Sequence, residues 1–283
     1  MSNPPPAAEA VLDPRVPLTG ELAAAADAFH IALDGASSVA VAFSGGVDSS
    51  LVCALAIRSL GAASVVAVLG VSPSLAAAER EQARRTAADL GMRLVEVTTY
   101  EMDDPRYVAN AGDRCYFCKH ELYTRAFTEA VAGTGGELLL NGDTADDRLA
   151  DDRPGARAAA ELGVRSPLAE AGIGKRTVRA LAHAIGLPVW DKPSAPCLAS
   201  RIPVNTPVTR ERLGRVERAE ADLRDLGLRI LRVRHHGANA RVELGPDDLT
   251  FVREHDLVQR VVAVGRAAGY RDVELVPTPL RRT

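Results

Sequence analysis

The chain has 283 residues, which suits one or two domains, and its 47% hydrophobic and 25% charged residues are those of an ordinary globular chain. Aromatics at 4% and a net charge of -3 supply neither a stacking platform for single-stranded nucleic acid nor the basic excess that grips phosphates, so no nucleic-acid partner is expected. No apolar run reaches the ~18 residues of a membrane span, Met1 to Ala8 lack the basic and apolar parts of a secretory leader, and a cytoplasmic chain with no membrane partner is expected.

In chain order, residues 1–18 are rich in Pro and Ala and are expected to be flexible. Leu22 to Leu33 has the pattern of an amphipathic helix. Val39 to Phe43 reads as a buried strand, followed by Ser44-Gly45-Gly46-Val47-Asp48-Ser49-Ser50 and a helix from Leu51. A glycine turn between strand and helix leaves backbone N–H groups and the positive helix end facing one way, which suits phosphate. Gly45 and Gly46 let an anion approach the backbone, and Ser44, Ser49 and Ser50 add hydroxyls. Asp48 beside phosphates calls for Mg²⁺ between them. The turn lacks the lysine of the G-x-x-x-x-G-K-[ST] loop and is not the dinucleotide G-x-G-x-x-G. It resembles the PP-loop of the ATP pyrophosphatases, which split ATP into AMP and pyrophosphate and adenylate a substrate oxygen.

Strands are predicted at Ser64 to Gly70, Arg93 to Thr98 and Glu137 to Asn141, and helices at Leu75 to Leu90, His120 to Ala132 and Gly174 to Ile185. This alternation predicts an α/β fold with a doubly wound parallel sheet, in which ligands bind at the carboxyl ends of strands. The turn at 44–50 and the turn at 142–147, with Asp143, Asp146 and Asp147, therefore belong on one edge. After residue 203 come a charged helix from Thr209 to Leu226, strands at Arg229 to Arg234 and Ala240 to Leu244, helices at Pro246 to Leu257 and Val258 to Ala268, and a strand at Asp272 to Leu275. The expected division is a nucleotide domain over 19–203 and a small α+β substrate or oligomerisation domain over 204–283.

Of four cysteines, Cys53 falls at an apolar helix position and is expected in the core. Cys115 and Cys118 form a C-x-x-C, and Cys197 lies in a proline-bounded loop. Three candidate thiolates without a fourth leave open a [4Fe–4S] cluster with one iron free, a zinc site completed by His120 or Asp113, or unlinked thiols.

The segment Pro196-Cys197-Leu198-Ala199-Ser200-Arg201-Ile202-Pro203, with Arg232-Val233-Arg234-His235-His236-Gly237, resembles the LarE family, the PP-loop sulfur transferases of nickel-pincer nucleotide synthesis for lactate racemase. The resemblance covers about Leu22 to Val276. It implies an adenine nucleotide alpha hydrolase-like fold and a homo-oligomer. It also implies a pyridinium bis-carboxylic acid mononucleotide substrate, whose carboxylate is adenylated by ATP and converted to a thiocarboxylate. Ser44, Gly45, Gly46, Asp48, Ser49, Ser50, Asp143, Asp146 and Asp147 would hold ATP, with Mg²⁺ on Asp48. Cys197 and Arg201 would be catalytic, and Arg232, Arg234, Glu220 and Glu243 would bind substrate. One form of the family spends the cysteine of C-L-A-S-R as its sulfur donor. Cys115 and Cys118, absent from that form, point to the cluster-bearing form, in which Cys115, Cys118 and Cys197 hold [4Fe–4S] and an external sulfide source reloads it. A tRNA thiolase, an amide-forming PP-loop ligase and a nucleotide-sensing module that binds ATP without turnover are the other readings. His235 and His236 are expected at the surface, and Trp190 is expected to pack on the PP-loop domain.

Overall fold

The computed structural model describes residues 12–33, 35–131, 138–149 and 153–278. Its contacts divide the chain into two compact units. The first comprises Met1–Gly70, Glu79–Thr98 and Leu122–Lys192, and the second comprises Val71–Ala78, Thr99–Glu121 and Pro193–Thr283.

In the first unit, strand β1 (Val39–Ala42) is buried at every position, as expected of a strand covered on both faces. It pairs in parallel with β2 (Val65–Val71) and with β4 (Leu138–Leu140), and β3 (Arg93–Thr98) lies outside β2, giving a parallel sheet of order β3-β2-β1-β4. Helix α2 (Val47–Leu60) lies on β1, and α1 (Gly20–Ala32) packs on it. On the other face Ala40, Ala42, Val66, Val68 and Leu139 meet Tyr123 and Ala126. The doubly wound α/β expectation is therefore met. Strand order reverses between β1 and β4, and in such sheets that point opens a crevice at the carboxyl ends. Both glycine–aspartate turns follow those two strands.

From Leu12 onward the amino-terminal segment is hydrogen-bonded to this unit. Leu12 N–H donates to the Asp89 carbonyl (2.7 Å), and Arg58 Nη1 donates to the carbonyls of Pro14 and Val16 at 3.1 and 2.8 Å. The remainder of the segment expected to be flexible, residues 1–11, lies outside the described residues.

Helix α3 (Ala77–Asp89) precedes β3, and the short helix α4 (Pro105–Ala109) follows it. The helix expected from His120 begins earlier, as α5 (Arg114–Arg125), and carries Cys115 and Cys118 in its first turns. Its predicted end at Ala132 and the predicted strand start at Glu137 lie outside the described residues. The short helix α6 (Ala145–Arg148) opens the second glycine–aspartate turn, and α7 (Pro154–Glu161), which periodicity did not suggest, starts on a proline at its first position. The short helix α8 (Pro167–Glu170) and α9 (Lys175–Ile185) complete the first unit, whereas α4 and residues 114–121 of α5 belong to the second. No described helix is long and apolar enough to cross a membrane.

In the second unit, β5 (Leu231–His236) and β6 (Asn239–Leu244) form an antiparallel hairpin that turns at Gly237, whose φ of 66° favours glycine. Helix α10 (Arg210–Asp225) precedes the hairpin, and α11 (Pro246–Glu254) and α12 (Val258–Ala267) lead to β7 (Asp272–Pro277), parallel to β6. Helix α10 serves two cores. Ala219 and Leu223 pack with Val233, Val242 and Val261, while Leu213 and Val216 pack with Tyr107, Leu198 and Ile202. Each fully buried Leu or Val contributes about 1.5–3 kcal/mol of transfer free energy.

Candidate functional site

The first turn is built from its own atoms. Gly45 has φ 69°, and a Cβ there would sit 2.8 Å from the Ala83 Cα, so only glycine fits. Ser44 N–H donates to Ser49 Oγ (3.2 Å), Ser49 Oγ donates to the Gly46 carbonyl (3.3 Å), and Gly46 N–H donates to Ser44 Oγ (3.4 Å). No side chain caps the start of α2, which leaves its first N–H groups for an anion. Ser50 is fully buried, and its Oγ has no partner.

The second turn is fitted against the first. A Cβ on Gly142 would lie 2.9 Å from the Ser49 nitrogen. Asp147 Oδ2 accepts from the backbone N–H (2.9 Å) and the hydroxyl (2.8 Å) of Thr144, and Asp147 Oδ1 pairs with Arg153 Nη1 at 2.9 Å. Burial works to raise the Asp147 carboxyl, but Thr144, Lys175 and Arg153 outweigh it and hold it below the usual range. Asp146 Oδ2 accepts the Lys175 N–H that opens α9. Lys175 Nζ reaches Asp48 Oδ2 at 2.6 Å and Asp147 Oδ2 at 3.3 Å. A second lysine, Lys192, joins Glu79 (2.8 Å) and the Gly45 carbonyl (3.4 Å). Asp48 Oδ1 is buried without a partner. Mg²⁺ in nucleotide sites is held by one or two carboxylates together with phosphates, so an unshared Asp48 oxygen fits that ion.

The thiols of interest all belong to the second unit. Cys115 and Cys197 are exposed, whereas Cys118 packs with Leu198, Ala199 and Tyr107. Burial, with Glu101 and the other two cysteines nearby, pushes the Cys118 thiol well up. Asn110 and Arg114 tie the two cysteine segments together. Asn110 Nδ2 donates to the carbonyls of Pro203 (2.8 Å) and Thr206 (3.1 Å), and Arg114 Nη1 donates to Asn110 Oδ1 (2.9 Å) and the Ala199 carbonyl (2.8 Å). Among the described residues no three His, Cys, Asp or Glu side chains close to metal-holding distance. The three cysteines offer the right donors for a cluster without standing in a closed cluster geometry.

Arg201 is 5% exposed and forms a two-pronged pair with the 1% exposed Glu220, Nε to Oε1 at 2.8 Å and Nη2 to Oε2 at 3.2 Å. Its Nη1 donates to the carbonyls of Pro196 (2.6 Å) and Cys197 (3.3 Å), which fixes the backbone that presents the Cys197 thiol. Glu220 also accepts from Val233 N–H (3.0 Å) and Arg224 (3.2 Å). Arg234 pairs with Glu243 (3.1 Å) and donates to the Ser200 carbonyl (2.9 Å). Arg232 makes one long bond, to the Ser194 carbonyl at 3.4 Å. Burial, with Arg201 and Arg234, pulls its pKa down, and Glu243 and Glu220 oppose them.

Residues 23–169 match the asparagine synthase family. The chain is 36% identical over 245 residues, 86% of its length and 87% of the relative's, to the pyridinium-3,5-bisthiocarboxylic acid mononucleotide synthase of Lactiplantibacillus plantarum. The chain belongs to the LarE family. Two further relatives are uncharacterised proteins. One, from Synechocystis sp., is 46% identical over 222 residues, 78% of this chain and 82% of the relative. The other, from Methanocaldococcus jannaschii, is 26% identical over 220 residues, 77% and 82% of the respective chains. Membership makes this an ATP-using PP-loop protein.

Within this LarE-family chain the expected ATP residues gather at the two turns of the first unit. Cys115, Cys118, Cys197, Arg201, Glu220, Arg232, Arg234 and Glu243 gather in the second. Glu220 faces inward on Arg201. His235 departs from expectation: it is 2% exposed and lies beside Tyr270 (Nδ1 to hydroxyl 3.4 Å), because β5 alternates and places Leu231, Val233 and His235 on its buried face. His236 is exposed, as expected, and Cys53 is buried in the core. Trp190 sets its ring edge-on to His183 at 4.5 Å and remains 40% exposed. Lys175, Lys192, Asn110 and Arg114 were not singled out in the sequence, since no local motif marks a residue with partners 85 to 147 positions away.

Proposed function

We propose that this protein is an ATP-dependent sulfur transferase acting on a carboxylate of pyridinium-3,5-biscarboxylic acid mononucleotide. The observation that carries this reading is the exposed Cys197 thiol, on a backbone pinned by a buried arginine, in a chain that also has a PP-loop. The relative from Lactiplantibacillus plantarum, named for the corresponding bisthiocarboxylic acid, supports the substrate class.

The chemistry follows from the need for a leaving group. A carboxylate oxygen attacks the α-phosphorus of ATP. The new P–O bond forms as pyrophosphate leaves, and the acyl-adenylate results. The N–H groups of the 44–50 turn would hold the pyrophosphate charge as it develops, and Asp48 would act only through the Mg²⁺ it would hold. A sulfur nucleophile then attacks the acyl carbon, the C–S bond forms, and AMP departs. Arg232, the least engaged arginine of its strand face, would take the substrate's phosphate or second carboxylate, with Arg234 and Glu243 fixing that face. Arg201 and Glu220 act by holding the Cys197 backbone.

The sulfur source is the finer part of the proposal. A [4Fe–4S] cluster on Cys115, Cys118 and Cys197, when bound, would supply a transferable sulfide. A homo-oligomer completes the reading, and light scattering tests it.

The test is incubation with ATP, Mg²⁺, sulfide and the dicarboxylate mononucleotide, after anaerobic purification. Pyrophosphate, AMP and an oxygen-to-sulfur mass change in the product are expected. Pyrophosphate release without a sulfur product would overturn sulfur transfer and favour a ligase, and full formation of the sulfur product after replacing Cys197 would overturn the role given to that thiol. About four irons per chain with matching acid-labile sulfide would establish the cluster. Mass loss at Cys197 after one turnover, with no iron, would establish a sacrificial donor instead.

A further inference from the structure

The loop at 44–50 lacks its own lysine, and the structure brings one to it from 127 positions downstream. Lys175 Nζ bridges Asp48 Oδ2 on the first turn and Asp147 Oδ2 on the second. It does so from the first residue of α9, whose backbone N–H is held by Asp146. A Cβ on the preceding Gly174 would lie 2.7 Å from Asp146 Oδ2, so a side chain there would disturb the carboxylate that holds the start of α9. Asp48 thus has one oxygen covered by a cation and the other buried without a partner.

We propose that Lys175 is a tethered counter-ion that holds the place of Mg²⁺ at Asp48, so that the metal enters with ATP and not ahead of it. The proposal rests on the ATP reading above.

The physical basis is local charge. Asp48, Asp143, Asp146 and Asp147 surround the two turns, and the cations paired among them are Lys175 and Arg153. Without a positive group beside Asp48, two carboxylates a few ångströms apart repel each other and attract any divalent ion. The ammonium of Lys175 stands 2.6 Å from Asp48 and 3.3 Å from Asp147, so it serves both carboxylates as counter-ion. An ammonium at hydrogen-bond distance from Asp48 opposes a free divalent ion there by direct charge repulsion. ATP changes the balance, because its phosphates attract both cations. Mg²⁺ carried by the phosphates takes the Asp48 oxygens, and Nζ is freed to donate to a phosphate. Lys175 is then a positioning residue in the resting protein and a phosphate ligand in the loaded one. Lys192 cannot substitute, since its Nζ is committed to Glu79 and the Gly45 carbonyl.

The test is titration of the full-length protein with Mn²⁺, followed by electron paramagnetic resonance, with and without a non-hydrolysable ATP analogue. The wild-type chain should bind Mn²⁺ weakly alone and tightly with the analogue. Lys175→Met and Lys175→Gln should bind Mn²⁺ alone at least about tenfold more tightly than wild type, while Lys175→Arg, which keeps the charge, should not. The analogue should bind the Met and Gln variants more weakly than wild type at saturating Mn²⁺. Equal Mn²⁺ affinity in the wild-type, Met and Gln proteins without nucleotide would overturn the proposal, as would tight binding by the wild type alone. Failure of the wild type to bind the analogue at all would instead reject the ATP reading, and the nucleotide-free titration would still report on Lys175. A thermal melt of each variant confirms that it is folded.

Discussion

Arg201 and Glu220 form the pair in which a single change has the largest expected effect. Both side chains are almost wholly buried, and Glu220 takes four donors from three side chains or backbone groups. Glu220→Ala leaves the guanidinium buried and unpaired, so unfolding in urea should show a loss of about 3–5 kcal/mol, with the reaction at Cys197 impaired. A loss within error of zero would show that the pair is more open to solvent than it is here. His235 makes a prediction about acidity. Burial, then Arg212, Arg215 and His236, hold its imidazole below its ordinary value, and Glu211 opposes them weakly. The unfolded chain therefore takes up a proton that the folded chain refuses, and stability should fall as pH drops below about 6.5. Thermal melts at a series of pH values should show that slope in the wild type and a shallower one in His235→Phe. Parallel slopes would remove His235 as the cause.

At the scale of elements, the two turns are held by close backbone approach more than by side chains. Gly142→Ala must push the second turn off the Ser49 nitrogen, so calorimetry should show ATP binding weakened by about tenfold or more with the fold retained. Unchanged affinity would mean the turns move independently. Asn110 plays the same part for the cysteines. It sits at φ 54°, a region asparagine tolerates, and its amide reaches the carbonyls after Cys197. Asn110→Ala should expose Cys118, and mass spectrometry after a brief alkylation pulse should show it labelled faster. The strands, most helices and both glycine–aspartate turns were legible because they write their chemistry locally, as alternation, apolar period and turn residues. The start of α5 was not, because the C-x-x-C reads as a loop motif until Asn110 and Arg114 fix it as helix. His235 was misread for a related reason: two adjacent histidines look like surface, and only the pairing of β5 with β6 shows that one of them faces the core.

At the scale of the whole molecule, the two glycine–aspartate turns and the three thiols Cys115, Cys118 and Cys197 reside in different compact units. Hydrogen exchange with an ATP analogue and Mg²⁺ should therefore slow chiefly in 39–51 and 138–148 and around Lys175, and a saturating ligand at a hundred times its dissociation constant should add about 2.7 kcal/mol there. Equal protection of 230–244 would mean that the second unit responds as well. The second unit is drawn from three separated stretches of chain, and this has a consequence for its biosynthesis. A ribosome adding roughly 5–20 residues each second needs about 4–16 s to travel from Cys118 to Cys197. Through that interval the C-x-x-C helix has neither the Leu198–Ala199 surface that shelters Cys118 nor the carbonyls that Asn110 and Arg114 grip. Any loading of sulfur or iron at these thiols would therefore be a late event in the life of each newly made chain, and oxidants present during translation would meet Cys115 and Cys118 before Cys197 exists.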